Sequence, residues 1–578
     1  MSDSVKKRGQ KFLRKFFRVT SQASEDSKEH IKENLIGRIS HVENIRLLVL
    51  EWGLLVTALI LLAITQSVWF RESYVEEVFA GGGNYTEATI GDVASLNPLF
   101  ATTNSERVLS KLMFATISEI DYSGHPGMGL AASILPSEDG RVWTMKLRDG
   151  LKWSDGRPIT NEDVIFTLEL IKSPAVNSVY DSSLTNIKIT EGDNGEIIFS
   201  LPSIYADFVS ALNIPVVPKH ELDDSDPKNL IEDTFSNAPV TSGAFSFNAL
   251  QTTATTNEKV YYLSANPHYY KGRPLLNSFA VHTYDNKEAV ISALNSGAVT
   301  ATAELSGADS DKIVAGQFQQ KDSSISSGAY VFFNTANPSV KKAELRAAIR
   351  QGIDMDKIRA EVPNVTALDH PLLESQIELK DYPEIPERDV AAASAKIAEF
   401  TTDGPINIEV ATINTGYLPT VANALKAELE QLGLQVHVST YEENQDFINN
   451  VVSKRAYDIL VYEIGLGADP DLLPYYHSSQ ASEAGLNLSN YRNALVDDLL
   501  LGARDTLDEE LRARKYEAFL EYWVNDVPAI GIYQPNLTYF YNRNVRTYSN
   551  NVRLVTALDR FTDVTNWAAV KALKNKTP

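Results

Sequence analysis

The chain has 578 residues, more than one ordinary domain holds and a fair length for two or three lobes. Its 43% hydrophobic and 22% charged residues describe a folded globular protein, and the absence of cysteine excludes disulfides, Cys-ligated zinc, iron–sulfur clusters, thiol catalysis and a lipid-modified cysteine anchor. The net charge of −22 is unevenly divided: residues 1–51 hold 11 Lys+Arg against 7 Asp+Glu, leaving −26 on the remainder, which argues against a general nucleic-acid binder.

Residues 52–70 form a 19-residue run without a charge, about the length a helix needs to cross the hydrocarbon core of a bilayer. Trp52, Trp69 and Phe70 stand at its ends, where amphipathic rings favour the interface. Upstream, Lys6, Lys7, Arg8, Lys11, Arg14, Lys15 and Arg18 are interleaved with Phe12, Phe16 and Phe17; downstream, Arg71 gives way to Glu72, Glu76 and Glu77. That asymmetry predicts a single-pass anchor in the cell membrane, with a basic cytoplasmic tail (1–51) and the remainder on the outer face. A cleaved signal peptide is disfavoured by the long polar leader and by the charges before Ala80, the nearest small-residue site. The tail is either a topology signal or a segment lying on the anionic inner leaflet. Residues 71–83, ending in three glycines, read as a linker.

From Asn84 onward short strand-like runs alternate with amphipathic helices, the pattern of a mixed α/β protein without a fixed repeat. A helix is predicted over 106–117, and the alternation of 142–147 suits a half-buried strand. Two Asp-Gly pairs in 148–158 mark a hairpin or tight loop. Thr160 and Asp163 then form a capping-box-like start for a helix over 161–172. Further strands are predicted at 197–201, 278–283, 330–333, 406–413, 434–438 and 528–533. Helices are predicted at 288–295, 340–351 and 418–432, with helical signals again from 495 to 524.

Residues 456–476 (AYDILVYEIGLGADPDLLPYY) begin as a buried strand that breaks at Gly465 and Gly467, where a second backbone can approach closely. Asp469 follows at once, a carboxylate sited to meet a cation; taken alone, the segment reads as a strand end and an Asp-Pro turn. No GxSxG elbow, HExxH or P-loop occurs, so no catalytic residue is assigned and the chain is not expected to be an enzyme. Acidic pairs such as Asp309/Asp311, Asp497/Asp498 and Glu442/Glu443 read as solvated faces, and the nine histidines lack ligand-like spacing, so no metal or cofactor is expected. The stacks Tyr261/Tyr262, Tyr269/Tyr270 and Tyr539/Phe540/Tyr541 read as strand and core packing, with a ligand-lining role left open.

Taken in order, several segments resemble the extracytoplasmic solute-binding proteins of the oligopeptide/dipeptide/nickel family, the binding components of ABC importers. They are SLNPL before the first helix, RDGLKWSDGRPITNEDVIFTLE, TSGAF, NPHYYKGRP, YVFFNTANPSVKKAELRAAIRQGID, AYDILVYEIGLGADPD and LSNYRNALVDDLL. The resemblance implies an α/β, two-lobed clamp of the periplasmic-binding-protein type with an extra subdomain, here preceded by one transmembrane helix. Lobe I would comprise 84–98, 205–320 and 535–578, the inserted subdomain 99–204, and lobe II 321–534. It also implies a function: capture of peptides outside the cell and delivery to an ABC permease. The expected partners are therefore a peptide, a permease and, through 52–70, the lipid bilayer.

Carried over residue by residue, Asp469 matches the aspartate that pairs with a peptide's α-ammonium. Leu466 stands where a tryptophan often lines a side-chain pocket, and Leu466, Gly467 and Ala468 would present backbone groups to the ligand. Thr103, Asn104 and Ser105 match the opposite wall. The chain departs from the family at Ser242 and Ala244, at Thr300 in place of an aspartate, and at Glu463, close to where some members carry a base for the ligand carboxylate. Two other readings share these features: a membrane receptor that senses peptides without transport, and the same fold binding a sugar or a metal chelate.

Overall fold

Strand Ser327–Phe333 is buried at every position and lies inside a six-stranded sheet. Across that sheet the strands run Thr366–Ala367, Ala529–Gln534, Ser327–Phe333, Ile459–Gly465, Asn407–Ile413 and Gln435–Tyr441. Neighbours among the first four are antiparallel, and the last two run parallel to Ile459–Gly465 and to each other. Ile459, Leu460 and Val461 are fully buried, as a branched apolar run in a covered sheet must be; each such side chain contributes about 1.5–3 kcal/mol by leaving water. The computed structural model describes residues 46–575 apart from 185, 254–257, 403 and 443–444, so the basic tail over 1–45 lies outside the described residues.

A second, seven-stranded sheet has a separate core. Its order is Phe318–Ser324, Asn536–Asn542, Ala301–Thr302, Asn84–Ile90, Ser278–Tyr284, Lys259–Ala265 and Phe245–Thr252. Beside it a four-stranded sheet, built from Ala131–Pro136, Val142–Leu147, Ile197–Ser200 and Lys188–Glu191, carries helix Asn161–Lys172. That helix starts at the predicted capping box, where Asp163 Oδ2 accepts from the Thr160 N–H at 2.9 Å. Gly243, in the TSGAF segment, sits against the end of helix Asn104–Met113, where a Cβ would stand 2.5 Å from the Leu112 carbonyl oxygen. The seven-stranded sheet is pinned to the C-terminal segment by a buried pair. Arg560 donates from Nε to Glu87 Oε1 at 3.2 Å, and the Tyr539 hydroxyl donates to Glu87 Oε2 at 2.6 Å.

At the N-terminus, Arg46–Tyr74 is one 29-residue helix, longer than the predicted 52–70 because nothing in Arg71–Tyr74 breaks a helix. Its stretch Val49–Ser67 is long and apolar enough to cross a membrane. Within the expected linker, Val75–Ala80 pairs as a strand with Val570–Asn575. The helical signals over 495–524 resolve into two helices, Ala494–Arg504 and Glu509–Asp526, because Asp508 caps the second by accepting from the Leu511 N–H at 2.8 Å.

Candidate functional site

Two chain crossings join the six- and seven-stranded sheets, one at residues 324–327 and one at 534–536. They lie side by side: the Ile325 N–H donates to the Pro535 carbonyl at 3.2 Å, and the Gln534 side-chain amide donates to the Ile325 carbonyl at 2.8 Å. A cavity of about 540 Å³ opens against them, within the ~300–1,000 Å³ range of sites that enclose a small ligand. From the seven-stranded side it is walled by Ser306, Gly307, Thr538 and residues 555–557; from the other side by 362–365, 415–418, 462–465 and Tyr533.

Strand Ile459–Gly465 sets the character of this wall. It pairs along its whole length with Ser327–Phe333, but with Asn407–Ile413 only at Ile459 and Leu460. The Val461 carbonyl still accepts from the Thr412 hydroxyl at 3.0 Å; beyond it the strands diverge, and 462–465 face the cavity. Among the described lining residues Glu463 is the one carboxylate, and there is no Lys, Arg or His. Its Oε1 accepts from the Ser327 hydroxyl at 2.6 Å, a diagonal cross-strand contact, since Ser327 stands opposite Gly465. Tyr417, Tyr462 and Tyr533 share the lining, and the buried Tyr417 hydroxyl has no hydrogen-bond partner among the described residues.

Of the seven expected ligand-binding residues, Gly467 lines the cavity. Asp469 sits instead in an ion cluster. Arg512 grips it with both Nη atoms, the Nη1–Oδ1 contact measuring 2.6 Å, while Arg504 grips Asp471 through Nε, at 3.3 Å from Oδ1, and Nη2. Residues 205–208 dock on this cluster, the Ala206 N–H donating to the Arg504 carbonyl at 2.9 Å and Arg504 lying 5.4 Å above the Tyr205 ring. Burial, then the nearby Asp469 charge, pushes the Asp207 carboxyl up to about 8. Burial raises the Asp469 carboxyl too, and Arg512 opposes it.

The backbone after Gly465 is also engaged. Gln376, itself 8% exposed, satisfies its amide by donating to the carbonyls of Leu466 at 2.9 Å, Gly467 at 3.3 Å and Asp469 at 3.2 Å. The Leu466 N–H donates to Ser326, and Leu466 and Ala468 are buried. Thr103 caps helix Asn104–Met113 and donates to the Asp92 carbonyl at 2.9 Å. Ser105 is fully buried between Thr89 and the Gly91 carbonyl, and Asn104 reaches Glu304 at 3.4 Å. Sequence reasoning missed the wall contributed by 362–365, 415–418, Tyr533 and 555–557; no spacing links these segments, which only the crossings bring together. Among the described residues no group of three or more His, Cys, Asp or Glu is placed to hold a metal ion.

A model of the bacterial extracellular solute-binding proteins, family 5 (middle region), matches residues 125–485. The chain belongs to that family. Among curated family 5 relatives, the oligopeptide-binding protein AppA of Bacillus subtilis (strain 168) is 24% identical over 482 residues, covering 79% of this chain and 87% of that protein. The structure of Bacillus subtilis AppA with a nonapeptide superposes with a TM-score of 0.67, at 21% identity, over 85% of this chain and 99% of that one. The ABC transporter substrate-binding protein CtaP of Listeria monocytogenes gives a TM-score of 0.74 at 22% identity, over 85% of this chain and 100% of that one. The family 5 chain thus has the two-lobed binding-protein fold, with the cavity where the two sheets are joined.

Proposed function

We propose that this family 5 protein is the membrane-anchored substrate-binding component of an ABC importer, which captures short peptides in the cavity, closes on them and hands them to a permease. The observation that carries this reading is the cavity of about 540 Å³ set against the two crossings that join the sheets. An extended peptide held in this cavity gains affinity through its main-chain hydrogen bonds without regard to sequence. The peptide class is supported by AppA, named for oligopeptides and solved with one bound. Anchoring on the outer face is supported by the apolar stretch Val49–Ser67 and the basic excess before it. The lobes close only as far as the ligand's preference for the closed form carries them.

Mass spectrometry of what co-purifies with the full chain, followed by calorimetry with peptides of mixed length, tests the reading. A peptide retained and rebound is the expected result; no binding to any peptide overturns it. Deletion of the protein should abolish peptide uptake, whereas uptake that continues unchanged would turn the reading toward a receptor.

A further inference from the structure

A second cavity, of about 530 Å³, lies at the edge of the seven-stranded sheet and shares no lining residue with the first. Strand Phe318–Ser324 forms that edge, and its pairing sets Gln319 opposite Tyr541 and Lys321 opposite Tyr539. Opposed residues and residues two apart share a face of a sheet, so Lys321, Gln319 and Tyr541 stand together. Arg543 follows Tyr541 by two positions and extends the ladder, its N–H donating to the Gln317 carbonyl at 3.2 Å. Arg546 is placed by a bridge to Ala568. The cavity thus gathers three cations in a chain of net charge −22, and none of them has a carboxylate within ion-pair distance among the described residues. The one carboxylate in its described lining, Asp563, is 3% exposed and is engaged inside the fold. Its Oδ1 accepts from the Trp567 indole N–H at 2.8 Å and its Oδ2 from the Ser549 N–H at 2.9 Å.

Each cation keeps donors to offer. Lys321 Nζ donates to the Tyr548 carbonyl at 2.9 Å and lies 3.8 Å from the centre of the Tyr548 ring, which uses part of a three-donor ammonium. Burial lowers the Lys321 ammonium from its ordinary value, with the Asp563 charge opposing it. Arg546 holds the Asn566 carbonyl through Nε, at 2.8 Å, and through Nη2, which leaves Nη1. Arg543 is exposed, and its guanidinium makes no hydrogen bond to a described residue.

We propose that this second cavity binds a phosphate monoester, with Lys321, Arg543 and Arg546 donating to its oxygens. The site is independent of the peptide reading. A phosphate monoester carries up to two negative charges and three strong acceptor oxygens, one for each cation, whereas a carboxylate offers two oxygens and one charge. The partly desolvated Lys321 gains the counter-ion that the fold withholds from it, and its shielding by the Tyr548 ring limits screening by salt. Soluble phosphate esters and phosphatidic acid present the same group. Phe79 in the cavity wall follows the membrane-capable helix Arg46–Tyr74 by five residues, so on the anchor reading above the lipid has a claim equal to the soluble ester.

The test is calorimetry on the full chain in phosphatidylcholine nanodiscs at physiological ionic strength, with glycerol 3-phosphate, inorganic phosphate and uncharged glycerol as probes. The two phosphates should bind saturably and compete for one site, and glycerol should not bind. Lys321→Gln and Arg543→Gln should each weaken glycerol 3-phosphate about tenfold or more. Thermal unfolding of Arg543→Gln should match that of the wild-type protein, because the Arg543 guanidinium holds no other described group. Repeating the titration in discs that contain phosphatidic acid, or phosphatidylserine as an anionic control, separates the two sources. A loss of affinity for glycerol 3-phosphate specific to phosphatidic acid identifies the lipid as the occupant; no loss, or the same loss with phosphatidylserine, identifies a soluble ester. No saturable binding of either phosphate in phosphatidylcholine discs, or equal binding by the wild-type protein and both variants, overturns the proposal.

Discussion

Glu463 lies on strand Ile459–Gly465 and Asp469 in the loop just after it, yet the two carboxylates meet opposite surroundings. Asp469 is gripped by Arg512, flanked by the Asp471–Arg504 pair and covered by Tyr205 and Asp207, so its charge is compensated within the protein. Glu463 accepts from a neutral hydroxyl and faces a cavity whose described lining offers no base. The difference separates two tasks that one acidic segment can perform. The Asp469 cluster ties residues 205–208 to helix Ala494–Arg504, whereas Glu463 stands in the cavity wall beside Ser327.

The comparison can be broken most forcefully at Arg512. Arg512→Ala leaves Asp469 buried without its counter-charge and should destabilise the fold by about 3–5 kcal/mol, read from denaturant unfolding. A loss under 1 kcal/mol would mean that the cluster compensates less than its geometry implies.

A second prediction uses Asp207. Its carboxyl is raised by burial and by Asp469, so the folded protein holds this proton more tightly than the unfolded chain. The stabilisation is complete below about pH 4, the ordinary aspartate range, and is lost as pH rises through about 8. Between these limits stability should fall by at most about 1.4 kcal/mol per pH unit. Thermal unfolding from pH 6 to 9 should show this slope in the wild-type protein and its loss in Asp207→Asn; parallel curves would remove Asp207 from the account. The smallest effect belongs to the other carboxylate. Ser327→Ala removes a hydroxyl hydrogen bond to Glu463 in the cavity wall, worth about 1 kcal/mol, and should lower peptide affinity in calorimetry about fivefold with little change in unfolding.

Much of the fold is legible in the chain because its signals are local. Val142–Leu147 and Asn161–Lys172 occupy the residues their periodicity and capping box predict. Asn536–Asn542 was harder to read, since a Tyr-Phe-Tyr run inside it looks the same in a strand and in a ligand-lining stack. The site is less legible still. Nothing in the spacing of Asp469 and Arg512, 43 positions apart, announces that they pair. Glu463 is visible in the sequence as a departure from the family, but its place in the cavity depends on where strand Ile459–Gly465 parts from Asn407–Ile413, which is set by packing between distant segments.

The two crossings that join the lobes also supply part of the cavity wall, through Ile325, Ser326, Ser327, Pro535 and Asn536. On the closure proposed above, pivot and ligand seat share atoms. A body resting close to an axle has a short lever arm, so a small change in its bulk turns the lobes through an angle that grows into a large displacement at their far rims. Ligand size would be read as gape at those rims as well as in the strength of binding.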